Sequence, residues 1–249
     1  MTAISLKRAP IHYADIISTA PILWNSNTTI VLAPGQYRDS TNSVDIILPP
    51  NGVTIDQTVN GINGLDSGTL ISTWYYVYVV GDSTGYLPSG GVISTSGNAP
   101  TLPFSYDVYK LIGFVHTASS TLYFTKFYLC GTGNTKLFMH DSKVQVMNGG
   151  TSATFATVSL ISGVPTYAVR KEVLLNYTFT PSSANNIFQI RPTGSSATTV
   201  LTIQDPTNVW LGGEISVITN QFNGTPCIDY LVSSGASLTL DVLGFRYSI

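Results

Sequence analysis

The chain has 249 residues, a net charge of −2 and only 10% charged residues, against roughly a quarter in an ordinary globular domain. Its 11 Lys and Arg are spread thinly with no basic run, which counts against capture of a nucleic-acid backbone, and no stretch nears the roughly 20 apolar residues of a membrane-spanning helix. At 43% hydrophobic the chain can fill one large β domain or two smaller ones without a metal or disulfide staple.

The first 35 residues, up to the turn at APGQ (33–36), are weakly patterned and contain Pro10, Pro21 and Pro34. They read as an arm that orders only against a neighbour, with at most a helical turn or two at ADIIS (14–18). Lys7 and Arg8 precede no long apolar core, so the N-terminus does not read as a secretory signal.

From residue 36 onward, β-branched and aromatic runs with period-two alternation recur between Gly, Pro, Asn and Ser clusters. VDIIL (44–48), WYYVYVV (74–80), VYKLIGFV (108–115) and TLYFTKFYL (121–129) form the first group of expected strands. The stretch from Phe104 to Leu137 reads as a hairpin that closes this domain, 36–144. A Gly-rich patch, NGGTS (148–152), then serves as the expected hinge. Beyond it, FATVSLI (155–161), VLLNYTFT (173–180), IFQI (187–190), TVLTI (199–203), EISVIT (214–219), IDYLV (228–232) and LTLDVLGFRY (238–247) form a second domain, 145–249. Both are expected as jelly-roll-like β-sandwiches in an all-β chain. In the last strand the apolar phase passes from Leu238, Leu240 and Val242 to Leu243, Phe245 and Tyr247, the signature of a β-bulge beside Gly244.

No catalytic constellation emerges. GLDSGTLISTW (64–74) imitates the S-x-D-x-G-x-x-W box of sialidases through Asp66, Gly68 and Trp74, but five residues separate Gly68 from Trp74, and the five arginines lie far apart. DSGT and GDSTG (81–85) supply one carboxylate each and no D-x-D-x-D-G series, so neither is a calcium loop. A nucleophile elbow and a phosphate loop are both missing. Glutamate occurs only as Glu172 and Glu214, so paired-carboxylate hydrolysis is a minority reading. His12, His116 and His140 have no second ligand at metal spacing, and Cys130 and Cys227 lack a CxxC partner. The expectation is two free thiols, although a bond between them stays open. No enzyme, metal or cofactor is expected. Fourteen tyrosines and three tryptophans could stack on sugars, but for Trp24 or Trp210 singly, packing is the expected role.

Residues 61–115 carry a resemblance. Asn63, Gly64, Asp66 and Gly68, then Trp74, Tyr75 and Tyr78, then Pro100, Leu102, Pro103, Tyr106, Tyr109, Lys110, Ile112 and Gly113 together resemble a stretch of tailed-bacteriophage virion surface proteins. Gly244 and Tyr247 in the closing strand are similar to theirs as well. The resemblance implies a structural virion component, a decoration, neck or fibre protein made in the host cytoplasm. It further implies a homo-oligomer, most simply a trimer, with capsid, neck or tail proteins as partners. The alternative is a lectin-like receptor-binding module for host surface glycans, whose contact residues the sequence does not mark. On the resemblance, Asp66 is a turn residue between two glycines.

Overall fold

A computed structural model describes residues 21–118, 120–131, 135–166, 172–195, 201–222 and 224–248. Among these there are only strands, turns and loops. In chain order the strands are β1 (Ile22–Trp24), β2 (Thr29–Leu32), β3 (Gln36–Arg38), β4 (Asp45–Ile47), β5 (Val53–Asp56), β6 (Gly64–Leu65), β7 (Trp74–Gly81), β8 (Gly90–Ser94) and β9 (Val108–His116). There follow β10 (Phe127–Cys130), β11 (Thr135–Gly150), β12 (Ala156–Ser159), β13 (Glu172–Thr180), β14 (Asn186–Pro192), β15 (Leu201–Asp205), β16 (Leu211–Ile218), β17 (Asn220–Phe222), β18 (Thr225–Val232) and β19 (Ser237–Ser248).

The second half is a jelly roll. One sheet runs β10-β11-β19-β13-β16 and the facing one β12-β18-β14-β15, with β17 added beside β18. Leaving aside the added strands β10 and β17, the eight strands β11–β16, β18 and β19 alternate between the two sheets in chain order except where β14 pairs with β15, which is the two-Greek-key path of an eight-stranded jelly roll. Its inner faces are apolar. Leu175 and Phe179 of β13 and Leu238, Leu240 and Val242 of β19 meet Phe188 and Ile190 of β14 and Ile228 and Val232 of β18, all fully buried. Rings interlock across the gap, with Phe188 set 5.2 Å from Phe179 and 4.9 Å from Tyr177. The bulge beside Gly244 is present, because Leu174 pairs with Gly244 while Leu175 pairs with Val242. The extra residue lets Phe245 and Tyr247 stay buried after Val242 instead of turning outward.

The first half is built on the four-stranded sheet β6-β8-β7-β9. Every residue of β7 is buried, so this aromatic strand is covered on both faces. Gly91 of β8 lies against Leu32 and Ile55, and Gly81 of β7 against Ile46, which places the small sheets β1-β2-β5 and β3-β4 on one side. The jelly roll covers the other. Trp74 packs 5.5 Å from Phe138 and 5.7 Å from Phe245, and Phe114 lies 4.8 Å from Tyr247. A single buried cluster therefore runs from Ile22 to Tyr247.

Three expectations change. Residues 1–20 and the turn at 14–18 lie outside the described residues, but 21–35, expected within the arm, contain β1 and β2 with Ile22, Ile30 and Leu32 buried. The hairpin expected over 104–137 does not form: β9 pairs with β7 and β10 with β11. Of 121–129 only the end is strand, and Leu122 takes a positive φ of 56°. The division at 144/145 falls within β11, and 148–152 straddles that strand's end, where Gly150 pairs with Leu238.

Candidate functional surface

The polar residues singled out in the sequence do not converge. No group of three His, Cys, Asp or Glu able to hold a metal exists among the described residues. Cys130 is exposed, Cys227 is buried, and both are free thiols.

Asp66 is a clip rather than a cap on its own turn. Its backbone N–H donates to Ile93 O at 2.9 Å, and its Oδ2 accepts the N–H of Thr101 at 2.8 Å. It thus ties the entry to β7 to a loop 35 residues on. Gly64 is required by close approach, since a Cβ there would sit 2.2 Å from Val59 O. Trp74 donates its indole N–H to Ile161 O at 2.9 Å. GLDSGTLISTW is a structural junction.

His116 and His140 flank Trp74, at 5.0 and 5.9 Å between ring centroids. Burial, with a further push from His140, brings the His116 pKa down to about 4. Burial likewise lowers that of His140, whose Nε2 lies 2.9 Å from Gly163 O. Both rings are neutral packing groups at neutral pH. His12 lies outside the described residues.

The surface feature of most consequence is a pair of loops at one end of the β7–β9 sheet. Asp82 shapes the first, 82–89. Its Oδ1 accepts Thr84 N–H and O–H at 2.9 and 2.6 Å, and its Oδ2 accepts Tyr86 N–H and Leu87 N–H at 3.0 and 3.1 Å. Those bonds hold the Asp82 carboxyl below the usual carboxylate range. Asp107, at the end of the second loop, accepts both Ser83 N–H (2.7 Å) and Ser83 O–H. Tyr106 donates to Pro88 O at 2.9 Å. The tight turn at 103–106 sets Ser105 at φ 68°, a left-handed conformation that costs about 1–3 kcal/mol in a residue other than glycine. On this braced frame Phe104 is 97% exposed and Tyr86 90% exposed. They are the two most exposed large hydrophobic side chains among the described residues.

Sequence periodicity does not find these two residues, because an aromatic between turn residues reads the same whether it faces in or out. Trp210, expected to pack, is 61% exposed. It sits on a turn whose N–H groups at Thr207 and Val209 are held by Asp205, and its ring lies over Gly212.

A second feature is a cleft of about 280 Å3 between two edge strands, β1 and β10, bordered by Leu23, Trp24, Lys126 and Tyr128. Lys126 Nζ lies 5.7 Å from the Trp24 ring centre and 5.3 Å from that of Tyr128. Asp141 Oδ1 receives Tyr128 O–H at 2.7 Å and Lys126 Nζ at 3.1 Å.

No protein-family model matches the chain, and no curated protein matches it. Among solved structures it is similar to a protein of Bacillus endospore appendages, a family of disulfide-linked pili, at 16% identity over 50% of this chain and 99% of that chain, with a TM-score of 0.28. It is also similar to a chain of the T13 particle of infectious bursal disease virus, at 12% identity over 94% of this chain and 70% of that chain, TM-score 0.21. A chain from the Gx strain of the same virus gives 11% identity over 91% and 75%, TM-score 0.16. Likenesses at these TM-scores fix neither fold nor function.

Proposed function

We propose that the protein is a structural component of a tailed-bacteriophage particle, a decoration, neck or fibre protein that assembles as a symmetric oligomer, most simply a trimer. The observation that carries this reading is the pair Phe104 and Tyr86, 97% and 90% exposed on loops braced by Asp82 and Asp107. Burying two such rings at an interface would contribute roughly 1.5–3 kcal/mol each, and the loops lose little freedom on association because they are already ordered. Phe104 lies within the TLPFSY segment that resembles phage surface proteins. Low charge suits the same role, since few like charges oppose self-association. A jelly roll is compatible with it, being a common architecture of capsid proteins, though the fold alone assigns no function.

The test compares the mass of the wild-type protein with that of a Phe104→Ser/Tyr86→Ser double variant, by light scattering. Both side chains are almost wholly outside the core, so the variant should keep its β circular dichroism spectrum while losing subunits from the assembly. An unchanged oligomer mass would remove this loop pair from the interface.

A further inference from the structure

We propose that the seam between the β6-β8-β7-β9 sheet and the jelly roll is an acid-sensitive latch: Trp74 is set between one histidine from each half, His116 and His140, and protonating these imidazoles opens the seam and bares its aromatic rings. The inference is independent of how the protein assembles. Three observations carry it. First, the two imidazoles meet on one indole. His116 is the cross-strand partner of Trp74 on β9 and stands 5.0 Å from its ring. His140 comes from β11, 5.9 Å from that ring and 5.2 Å from Phe138. The same indole makes a hydrogen bond that closes the seam, its N–H donating to Ile161 O at 2.9 Å.

Second, the seam suits these rings only when they are neutral. The acceptor at His140 Nε2 is a carbonyl, Gly163 O at 2.9 Å, so Nε2 carries the hydrogen and a further proton must go to Nδ1. Among the described residues Nδ1 has no hydrogen-bond partner, and neither has the His116 ring. The carboxylates on the surrounding elements are engaged elsewhere: Asp141 with Lys126, Asp241 with Lys143 and Glu172 with Arg246. Lys110 lies at the far end of β9, and Lys136 is buried on the same face of β11 as Phe138 and His140. Neither lysine offers a counter-charge.

Third, opening takes up protons. Burial, with His140 in addition, brings His116 down to about 4, and burial lowers His140 too. Once the seam opens, both rings regain their ordinary 6.5, so opening is favoured as pH falls from about 6.5 toward 4. For His116 alone the opening equilibrium rises about thirtyfold between pH 7.5 and 5. Each half keeps packing of its own: Phe179 on Phe188 in the jelly roll, and Leu32 and Ile55 against Gly91 in the other half.

The experiment follows solvent exchange of the Trp74 indole N–H by NMR in the full chain, the signal being the one missing from Trp74→Phe. Corrected for the intrinsic effect of pH on exchange, its rate should rise about thirtyfold or more from pH 7.5 to 5, while the backbone amides of β14 and β18 keep their protection. The rise should be lost in a His116→Gln/His140→Gln variant and should shrink in His116→Gln alone, which serves if the double variant does not fold. An exchange rate that does not change in the wild type would overturn the proposal. So would a parallel loss of protection in β14 and β18, which is ordinary acid unfolding, or a rise of the same size in the histidine variants.

Discussion

Trp74→Ala probes the packing of the two halves of the chain on one another. The indole is 6% exposed and touches both halves. It leaves β7 and meets Phe138 of β11 and Phe245 of β19 at 5.5 and 5.7 Å, with His116 and His140 on its flanks. Its N–H reaches Ile161 O at 2.9 Å. Truncating a buried tryptophan costs about 3–5 kcal/mol, and the lost hydrogen bond adds roughly 1 kcal/mol. The surrounding rings belong to three strands and cannot all collapse into the void, so the upper end, about 5 kcal/mol, is expected. Trp74→Phe keeps a ring but removes the donor and part of the volume, and should cost about 1–2 kcal/mol. Urea denaturation measures both totals. Amide hydrogen exchange locates them: protection should fall in β7 and β9 and also in β13 and β19. If Trp74→Ala lowered protection only in the β6-β8-β7-β9 sheet, the shared core would be refuted.

Three further outcomes are expected. Asp66→Ala removes the acceptor for Thr101 N–H and should cost about 1 kcal/mol or less, with faster exchange of the Thr101 amide; unchanged exchange there would rule out the clip. His116, held at about 4 in the fold against its ordinary 6.5, binds fewer protons folded than unfolded, so its contribution is complete above about pH 6.5 and is lost as pH falls toward 4. The loss is at most about 3 kcal/mol, and urea midpoints at several pH values should fall less steeply over that window for His116→Gln than for wild type. Gly244→Ala would push a Cβ to 2.2 Å from Phe138 O and 2.8 Å from Met139 Sδ, so a loss of about 1–3 kcal/mol is expected; a neutral thermal midpoint would contradict the bulge.

The strands that sequence made legible are those whose side chains alternate or are aromatic throughout. β7 and β9 reach within a residue of the ends expected from WYYVYVV and VYKLIGFV, and the bulge by Gly244 follows from a one-residue slip in apolar phase. β11 was hidden by its composition. TKLFMHDSKVQVMNGG mixes Lys, His, Asp, Asn and Gly, yet all 16 residues form a strand because its first half buries Phe138 and even Lys136, while its second half runs along β19 with an outward polar face. β1 and β2 were hidden by brevity between prolines, although Ile22, Ile30 and Leu32 are core residues. Of the candidate surfaces, Asp66 was visible as a turn residue, but its partner Thr101 was not, because that contact is made only by folding. Phe104 and Tyr86 as exposed residues, and the Lys126–Asp141 pair as a contact, were likewise invisible: exposure and cross-strand pairing belong to the tertiary arrangement, not to local sequence.

The central claim, a structural subunit built to associate with copies of itself, is tested most directly by the solution mass of the intact protein at micromolar concentration in sedimentation equilibrium. The account predicts a single species at an integral multiple of 26.7 kDa, three being the expected number. A stable monomer at that concentration would contradict it.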